Sequence, residues 1–324
     1  MSTTVVDRET VHAVLALANR APSVHNSQPW RWVVGADVVH LHADLHRWLP
    51  ATDPSGRDLV VSCGAALHHL QVAAAAAGLS TRVHRIPDPD SADHLAAVEL
   101  SRGPVNGDFQ LAAAMEHRRS DRRPFATWPV PEQMLETLAA AAAARGAACR
   151  VVPDDGTRTV LLEAAATAAA VQDDTPATAA ELARWSGLHA SSDGVPAANA
   201  LRHGATAAVD AGRRFHDGDL DPGNGGPDGA TLLVIGSASD DPLSRLRAGE
   251  ALSAVLLRAT EEGLSTCPVT QALEVAESWR RVRDEVLGGT LCPQVGLRLG
   301  WLQGQEPVPA SPRRPVAETV DDRR

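Results

Sequence analysis

The spacing of apolar and polar positions along the chain predicts both helices and strands. Apolar residues recur every three or four positions over residues 10–20, which indicates a short helix with one buried face. Alternating patterns at 30–34 and 38–43 predict two strands, joined as a hairpin around Gly35.

Two long helices dominate the pattern. They are predicted at 57–77 and 242–262, and Gly78 and Gly263 follow them, where a left-handed residue often ends a helix. Further strands are predicted at 82–86, 95–100, 149–152, 230–236 and 295–301. The pattern therefore mixes helices with strands.

Two regions lack such periodicity. Residues 173–229 are rich in Gly, Ser, Asp and Pro and predict irregular structure. The proline-rich tail from residue 303 predicts an extended segment. Helices are expected to dominate between about residues 101 and 170.

The chain contains an internal repeat. Residues 64–81 read GAALHHLQVAAAAAGLST and residues 249–266 read GEALSAVLLRATEEGLST, with eight of eighteen positions identical at a shift of 249 − 64 = 185 residues. Two unrelated alanine-rich helices would explain the alanines, but not two glycines at one spacing followed by Leu-Ser-Thr. The repeat favours a diverged duplication into halves 1–115 and 116–324, related by a pseudo-twofold axis and imitating a homodimer. A ligand is expected at the seam between them.

The net charge limits the classes of molecule that are expected to bind the protein. The formal net charge of −10 argues against nucleic acid and anionic membranes. All thirty basic residues are arginine, whose planar fork matches phosphate oxygens. None of the four cysteines forms a CxxC pair, which excludes a zinc ribbon. No apolar signal segment or uncharged apolar run of about 18 residues occurs, so we expect a cytoplasmic protein with reduced thiols.

The first candidate site is the loop at residues 21–30, APSVHNSQPW. Its two prolines fix φ and remove N–H donors, so the segment is not a helix interior. It is a rigid loop before a strand that presents Ser23, His25, Asn26 and Gln28. An ordinary helix end followed by a β-turn is the alternative interpretation, with these groups bonded to the backbone.

The second candidate site is the arginine cluster at residues 118–125, RRSDRRPF. Four arginines and a serine can bind a phosphate dianion through charge-assisted hydrogen bonds. A solvated charged turn is the alternative. Arg313 and Arg314 are either a second phosphate clamp or part of a solubilising tail.

A third loop, TCPVTQ at residues 266–271, directly follows the second repeat. Pro268 makes this junction rigid, and the alternative is a plain connection. His40, His42, Asp44 and His46 alternate along a predicted strand, which predicts either an exposed polar face or a metal site.

Several common motifs are missing. No GxGxxG precedes a helix, and GxxxxGK[ST], HExxH and GxSxG do not occur. This disfavours dinucleotide-binding folds of the ordinary type, P-loop NTPases, zincins and α/β-hydrolases.

The ordered motifs resemble those of nitroreductase-like flavoproteins. Residues 22–30 resemble their PSxxNxQPW segment, and Arg118-Arg119-Ser120 resembles their phosphate-binding RxS motif. The helix at 248–264 resembles their GxAxxxLxLxAxxxGL helix. The chain most resembles the Acg-type subgroup of actinobacteria, in which the first RxS motif is missing and reappears in the second half. Segments that also resemble this subgroup are 53–57, 193–196 and 312–315.

The resemblance implies an α+β sandwich whose ordinary members are homodimers with FMN at the interface. Here one chain would imitate the dimer and act as a monomer, although a higher oligomer stays open. Residues 173–204 resemble the segment that forms a lid in the subgroup, and a lid opposes access of a nicotinamide. The amide groups of the first loop match the alternating acceptors and donors of a flavin edge.

The resemblance also assigns cofactor-binding roles. The phosphate and ribityl chain would be held by Arg118, Arg119, Ser120, Arg122, Arg313 and Arg314. The isoalloxazine would be lined by Pro22, Ser23, Val24 and Asn26, with Gln28 from the same loop. The segment of Pro268, Val269, Thr270 and Gln271 would place backbone N–H groups near its N5 and O4. Neither a catalytic side chain nor a metal ligand is assigned.

Three functions remain open at this point. The first is an FMN-dependent oxidoreductase that uses NAD(P)H to reduce a small electron-poor molecule, such as a nitro compound, quinone or enone. The second is an FMN-sequestering protein with a closed site. The third is a flavin-dependent dehydrogenase or a flavin-destroying enzyme.

Overall fold

The computed structural model describes residues 6–103, 109–187, 191–202, 213–215, 217–223, 226–304 and 306–322. The helices are α1 (Arg8–Ala18), α2 (Arg57–Ala76), α3 (Phe109–His117), α4 (Glu132–Ala143), α5 (Asp155–Asp173), α6 (Pro176–Arg184), α7 (Pro242–Glu261), α8 (Ala276–Arg281) and α9 (Val316–Thr319). The strands are β1 (Trp30–Val34), β2 (Val38–Ala43), β3 (Leu79–Arg85), β4 (His94–Arg102), β5 (Ala148–Val151), β6 (Thr231–Ser237), β7 (Ser265–Val269), β8 (Cys292–Gly300) and β9 (Val320–Asp322).

The strands form two sheets with related topology. One sheet has the order β3-β4-β2-β1-β9 and the other β5-β6-β8-β7. Read from its other edge, the second sheet has the order β7-β8-β6-β5, which matches β3-β4-β2-β1 of the first sheet strand for strand. All these neighbouring strands are antiparallel. The last strand, β9, runs parallel to β1. The C-terminal end of the chain is therefore anchored on the N-terminal sheet.

Helices α2 and α7 form the centre of the molecule and pack against each other. A Cβ at Gly64 would lie 2.1 Å from the carbonyl oxygen of Leu246, and one at Gly249 would lie 2.0 Å from that of Val61. Both repeat copies need glycine here because the two backbones approach each other so closely. The His68 ring also lies 2.7 Å from the hydroxyl of Ser253, its partner at the 185-residue shift.

The central helix α2 is long and apolar enough to cross a membrane by length and composition alone. Its apolar window is 83% buried inside the molecule. Cys63, Leu67 and Leu70 are completely buried in the core. The hydropathy of α2 is thus explained by its position as a core helix.

Several predicted elements are confirmed with small shifts. The hairpin strands β1 and β2 lie where the alternation places them, and Gly78 and Gly263 adopt φ of 72° and 79° after the long helices. Helix α1 begins two residues before its predicted start because the Asp7 carboxylate caps it, accepting the Thr10 N–H at 2.8 Å. The predicted alternation of four polar residues along a strand was wrong at Asp44 and His46, since β2 ends at Ala43 and a 3-10 turn follows.

Two predictions of irregular structure were wrong. Residues 173–229 contain α6, whose first residue Pro176 suits the first turn of a helix. The tail is extended only up to Pro315. After it, α9 and β9 form, because the exposed edge of β1 offers backbone partners, pairing Trp32 with Val320.

Candidate functional site

Two adjoining cavities lie where the candidate loops meet. The larger encloses about 900 Å³ and the smaller about 570 Å³, including their open mouths. Pro22, Ser23, Ser120 and Arg122 line both. The two cavities therefore form one continuous site between the first candidate loop and the arginine cluster.

The first loop is rigid, as its prolines predict. His25, Asn26 and Gln28 have φ of 47°, 54° and 51°, in the left-handed region that costs free energy for residues other than glycine. The hydroxyl of Ser23 accepts the Gln28 N–H at 2.9 Å, and that of Ser62 accepts the Val24 N–H at 3.1 Å. Strained, well-bonded backbone of this kind is characteristic of binding sites.

Arginines without a described carboxylate partner line the smaller cavity, and Arg118 is the buried one among them. Arg118 is 5% exposed, and its Nε and Nη1 have no partner among the described residues. Burial, then Arg119 and Arg20, lowers the pKa of Arg118 to about 10. Burial, then Arg118 and Arg20, holds the pKa of Arg313 well below its ordinary value. No described carboxylate pairs with Arg118, Arg20 or Arg313, so this end of the site is suited to an anion.

The arginine cluster at residues 118–125 is not a solvated charged turn, which was the alternative interpretation of its sequence. The Asp121 N–H donates to the Thr266 carbonyl at 2.8 Å, which fixes Ser120 beside β7. Arg123 is buried but neutralised, with its Nη2 2.6 Å from an Asp121 oxygen. Arg119 is half-buried at the rim of the smaller cavity and donates to the Glu116 carbonyl at 2.6 Å.

Arg122 lines both cavities and also contacts Asn199 and Phe215, from two later segments of the chain. Its Nη1 donates to the Asn199 carbonyl at 2.7 Å, and its guanidinium lies 4.6 Å from the centre of the Phe215 ring. Burial is the main cause that lowers its pKa.

The C-terminal arm brings Arg313 to the site but turns Arg314 away. The Nη1 of Arg313 donates to the Asn26 side chain at 2.9 Å. The Arg314 N–H donates to the Gln28 side chain at 2.8 Å. Gln28 and Arg314 lie outside the lining of both cavities, where they connect the arm to the first loop.

The third loop lies along the larger cavity. Pro268 and Val269 end β7, and Thr270 and Gln271 follow it, so all four predicted residues line this space. Opposite them, α2 presents a face to the same cavity, comprising Asp58, Val61 and Ser62. The spacing 58, 61 and 62 is helical, but no pattern in the sequence separates this face from the rest of a buried helix.

Two further groups line the larger cavity: Asp58, which no sequence motif indicated, and His25, which the first loop was predicted to present. Asp58 is 1% exposed, and burial raises its pKa to about 8. His25 is buried, its ring nitrogens have no described partner, and burial, then Arg213 and Arg122, holds its pKa well below the ordinary value. At neutral pH the cavity therefore holds an uncharged imidazole, 5.5 Å from the Phe215 ring.

The segment predicted as a lid contacts the first loop, and we call its described part, residues 173–187 and 191–202, the lid. The Asn26 amide donates to the Gly194 carbonyl at 3.0 Å, and the Gln28 amide donates to the Ser192 carbonyl at 2.8 Å. Arg47 forms an ion pair with Asp193. The predicted lid spanned 173–204, of which residues 188–190, 203 and 204 lie outside the described residues.

Partial likenesses to solved nitroreductases accompany this geometry. A nitroreductase with bound FMN from Desulfitobacterium hafniense DCB-2 covers 65% of this chain and 97% of its own, with 13% identity and a TM-score of 0.43. The FMN and NADPH-dependent nitroreductase NfnB from Sphigopyxis sp. strain HMH gives the same coverage, with 18% identity and a TM-score of 0.42.

Relatives by sequence span almost the whole chain. Two Mycobacterium tuberculosis H37Rv proteins are both named as candidate NAD(P)H nitroreductases. Rv3131 is 43% identical over 99% of this chain and 94% of its own length, and acg is 37% identical over 98% and 97%. The family model described as "Nitroreductase family" matches residues 2–49 and 115–301. These matches confirm the predicted resemblance and its α+β fold class. The chain therefore belongs to the nitroreductase family of oxidoreductases.

Proposed function

We propose that the joined cavities bind one FMN and that the protein uses NAD(P)H to reduce a small electron-poor molecule. The observation that carries the proposal is the group of buried and half-buried arginines without described carboxylate partners, at a cavity that continues into a larger, mostly apolar one. An FMN has this division into an anionic phosphate and a flat, largely apolar ring. The unpartnered Nε of Arg118 and of Arg313 are donors that suit phosphate oxygens.

Different site residues would hold the phosphate and the ring of the cofactor. Arg118, Arg313 and Ser120 would hold the phosphate, with Arg20, which the sequence analysis did not single out. Backbone around Pro268–Gln271 would face one side of the ring, and Pro22–Val24 would contribute from the first half. FMN, when bound, supplies two-electron redox chemistry. The lid contacts exclude water from the ring and limit entry of a second molecule.

We further propose that the two halves, 1–115 and 116–324, arose by duplication. The shared strand order and the reciprocal glycine contacts between α2 and α7 support this proposal. In such an arrangement one chain contains both sides of a site that ordinary members build from two subunits. A monomer would then bind FMN, and its expected location is the cytoplasm, where NAD(P)H is available.

The closed lid favours a second candidate function, FMN sequestration without turnover. Asn26, Gln28 and Arg47 all bond to the lid, as described above. Steady-state oxidation of NADH and NADPH with a quinone or nitro acceptor separates the two functions. A reductase consumes nicotinamide in an FMN- and acceptor-dependent manner. A sequestering protein retains FMN, which dithionite reduces, but does not oxidise either nicotinamide above the rate of free FMN.

A further inference from the structure

Asp58 is a buried acid on the cavity face of α2. Its Oδ2 has no hydrogen-bond partner among the described residues, and its Oδ1 is 3.4 Å from the Nε of Arg57. Pro268 and Gln271, from the segment proposed to face the flavin ring, line the same cavity. An unpartnered carboxyl oxygen therefore adjoins the space in which an acceptor would be reduced.

The surroundings of Asp58 contain one more carboxyl group than arginines. The Arg213 side chain pairs with Glu274 and Arg245 with Asp240, whereas Arg57 alone serves both Asp53 and Asp58. The charged groups that act on Asp58 or pack around it are Asp53, Arg57, Arg213, Asp240, Arg245 and Glu274. Four carboxyl groups thus face three guanidinium groups in a buried region, which favours one bound proton.

That proton is best placed on Asp58. The Asp53 carboxylate accepts the Leu59 N–H at 2.9 Å, and Glu274 accepts from Arg213 and, at 2.6 Å, from Gln172. The Leu59 bond favours the charged form of Asp53, whose pKa is raised by burial, and the Arg213 and Gln172 bonds occupy the Glu274 carboxylate. Only Asp58 combines an unpartnered oxygen with a position in the cavity wall.

Other cavity groups are less suited to give a proton. His25 is held uncharged by its surroundings, so it carries no extra proton at neutral pH. The Ser62 hydroxyl donates to the Asp58 carbonyl at 2.6 Å and accepts from Val24, so its proton is already in use.

We propose that Asp58 is the proton donor to the molecule reduced in this cavity, an inference that rests on the proposed reductase function. With a quinone, an electron pair from the reduced nicotinamide reaches the acceptor through the cofactor as a hydride equivalent. The Asp58 Oδ2–H bond breaks and an O–H bond forms on the quinone oxygen that gains charge. The hydroquinone leaves, and water returns a proton to the Asp58 carboxylate.

The test uses FMN-loaded protein reduced by dithionite, so it does not depend on nicotinamide access. Stopped-flow mixing with a benzoquinone gives the reoxidation rate as a function of pH, in H2O and D2O. The parent rate should fall as pH rises through about 8 and should show a solvent isotope effect. Asp58→Asn should lower the rate at pH 7 by about 100-fold and abolish both dependences. A parent-like rate and pH profile in Asp58→Asn would overturn the proposal.

Asp53→Asn is the matched variant, since Asp53 is equally buried but does not line the cavity. Removing its negative charge should move the inflection of the rate to lower pH without abolishing it. An unmoved inflection in a folded Asp53→Asn protein would count against Asp58 as the titrating group, even where Asp58→Asn does not fold. Equal FMN affinity of parent and Asp58→Asn, by fluorescence titration, separates proton transfer from binding. Failure of NAD(P)H to reduce the parent would refute the reductase function and would leave the dithionite result to decide the role of Asp58.

Discussion

The buried Arg118 offers a prediction in which stability and binding change in opposite directions. Replacing it by methionine keeps most of the volume and removes the charge. The guanidinium has one long contact, 3.4 Å to the Arg20 carbonyl, and no described carboxylate partner. In FMN-free protein the side chain therefore costs free energy, and its pKa of about 10 has the same cause.

The expected magnitudes follow from that environment. Exchanging poorly compensated buried charge for apolar side chains stabilises proteins by about 1–4 kcal/mol. We expect FMN-free Arg118→Met to unfold at higher urea concentration by a free energy in this range. Its FMN affinity should fall by about 10- to 100-fold, since one charge-assisted bond contributes about 1.5–3 kcal/mol.

Arg123→Met is the matched control, because Arg123 is equally buried in the same loop but pairs with Asp121. Its loss leaves Asp121 buried and unpaired, so stability should drop by about 3–5 kcal/mol. The FMN affinity of the folded fraction should change much less. Urea melts followed by circular dichroism and FMN fluorescence titrations measure both quantities. A destabilised Arg118→Met protein with parental FMN affinity would refute the assignment of Arg118 as an anion-binding residue.

Two further predictions concern the packing of the halves and the lid. Ala in place of Gly64 or Gly249 should lower the unfolding free energy by about 2–3 kcal/mol or more, because each Cβ would lie about 2 Å from a carbonyl oxygen. Gly156→Ala is the control, since its Cβ would meet a side-chain oxygen at 3.1 Å, and it should change the unfolding free energy by less than about 1 kcal/mol. Comparable losses of stability at all three sites would contradict the close contact between α2 and α7. Asp193→Ala should accelerate FMN release in stopped-flow exchange by about 10-fold or more, since it removes the Arg47 ion pair that holds the lid. The exposed Asp219→Ala should leave that rate unchanged, and identical rates in both variants would argue against a latched lid.

The main helices and strands could be predicted from the sequence, and so could the meeting of the candidate loops at one site. Glycine after each long helix, alternation in the hairpin and proline in the loops act locally, so each could be interpreted without the fold. The repeat also drew attention to Gly64 and Gly249, the two glycines at which α2 and α7 approach each other. Helix α6 was missed because Gly, Ser and Asp are common in the segments around it, whereas its own nine residues are good helix formers apart from Pro176 and Thr178.

The site was harder to predict where residues act through tertiary contacts. Arg20 lies at the end of α1 and looks like an ordinary helix terminus, yet folding places it beside Arg118 and Arg313. Asp58 is one acid in a long apolar helix, and only the approach of the 268–271 segment makes it a cavity residue. Conversely, Arg314 shares a dipeptide with Arg313 but turns to Gln28, because adjacent residues in an extended arm point in opposite directions.

We propose that a single chain binds one FMN between its own two halves. Titration of the FMN-free protein with FMN, combined with light scattering of the loaded species, measures both the stoichiometry and the number of chains. We expect saturation at one FMN per chain in a species of about 34.0 kDa, with Arg118→Met shifting the titration to higher FMN concentration. No saturable binding, or a species in which two chains are required for each FMN, would contradict it.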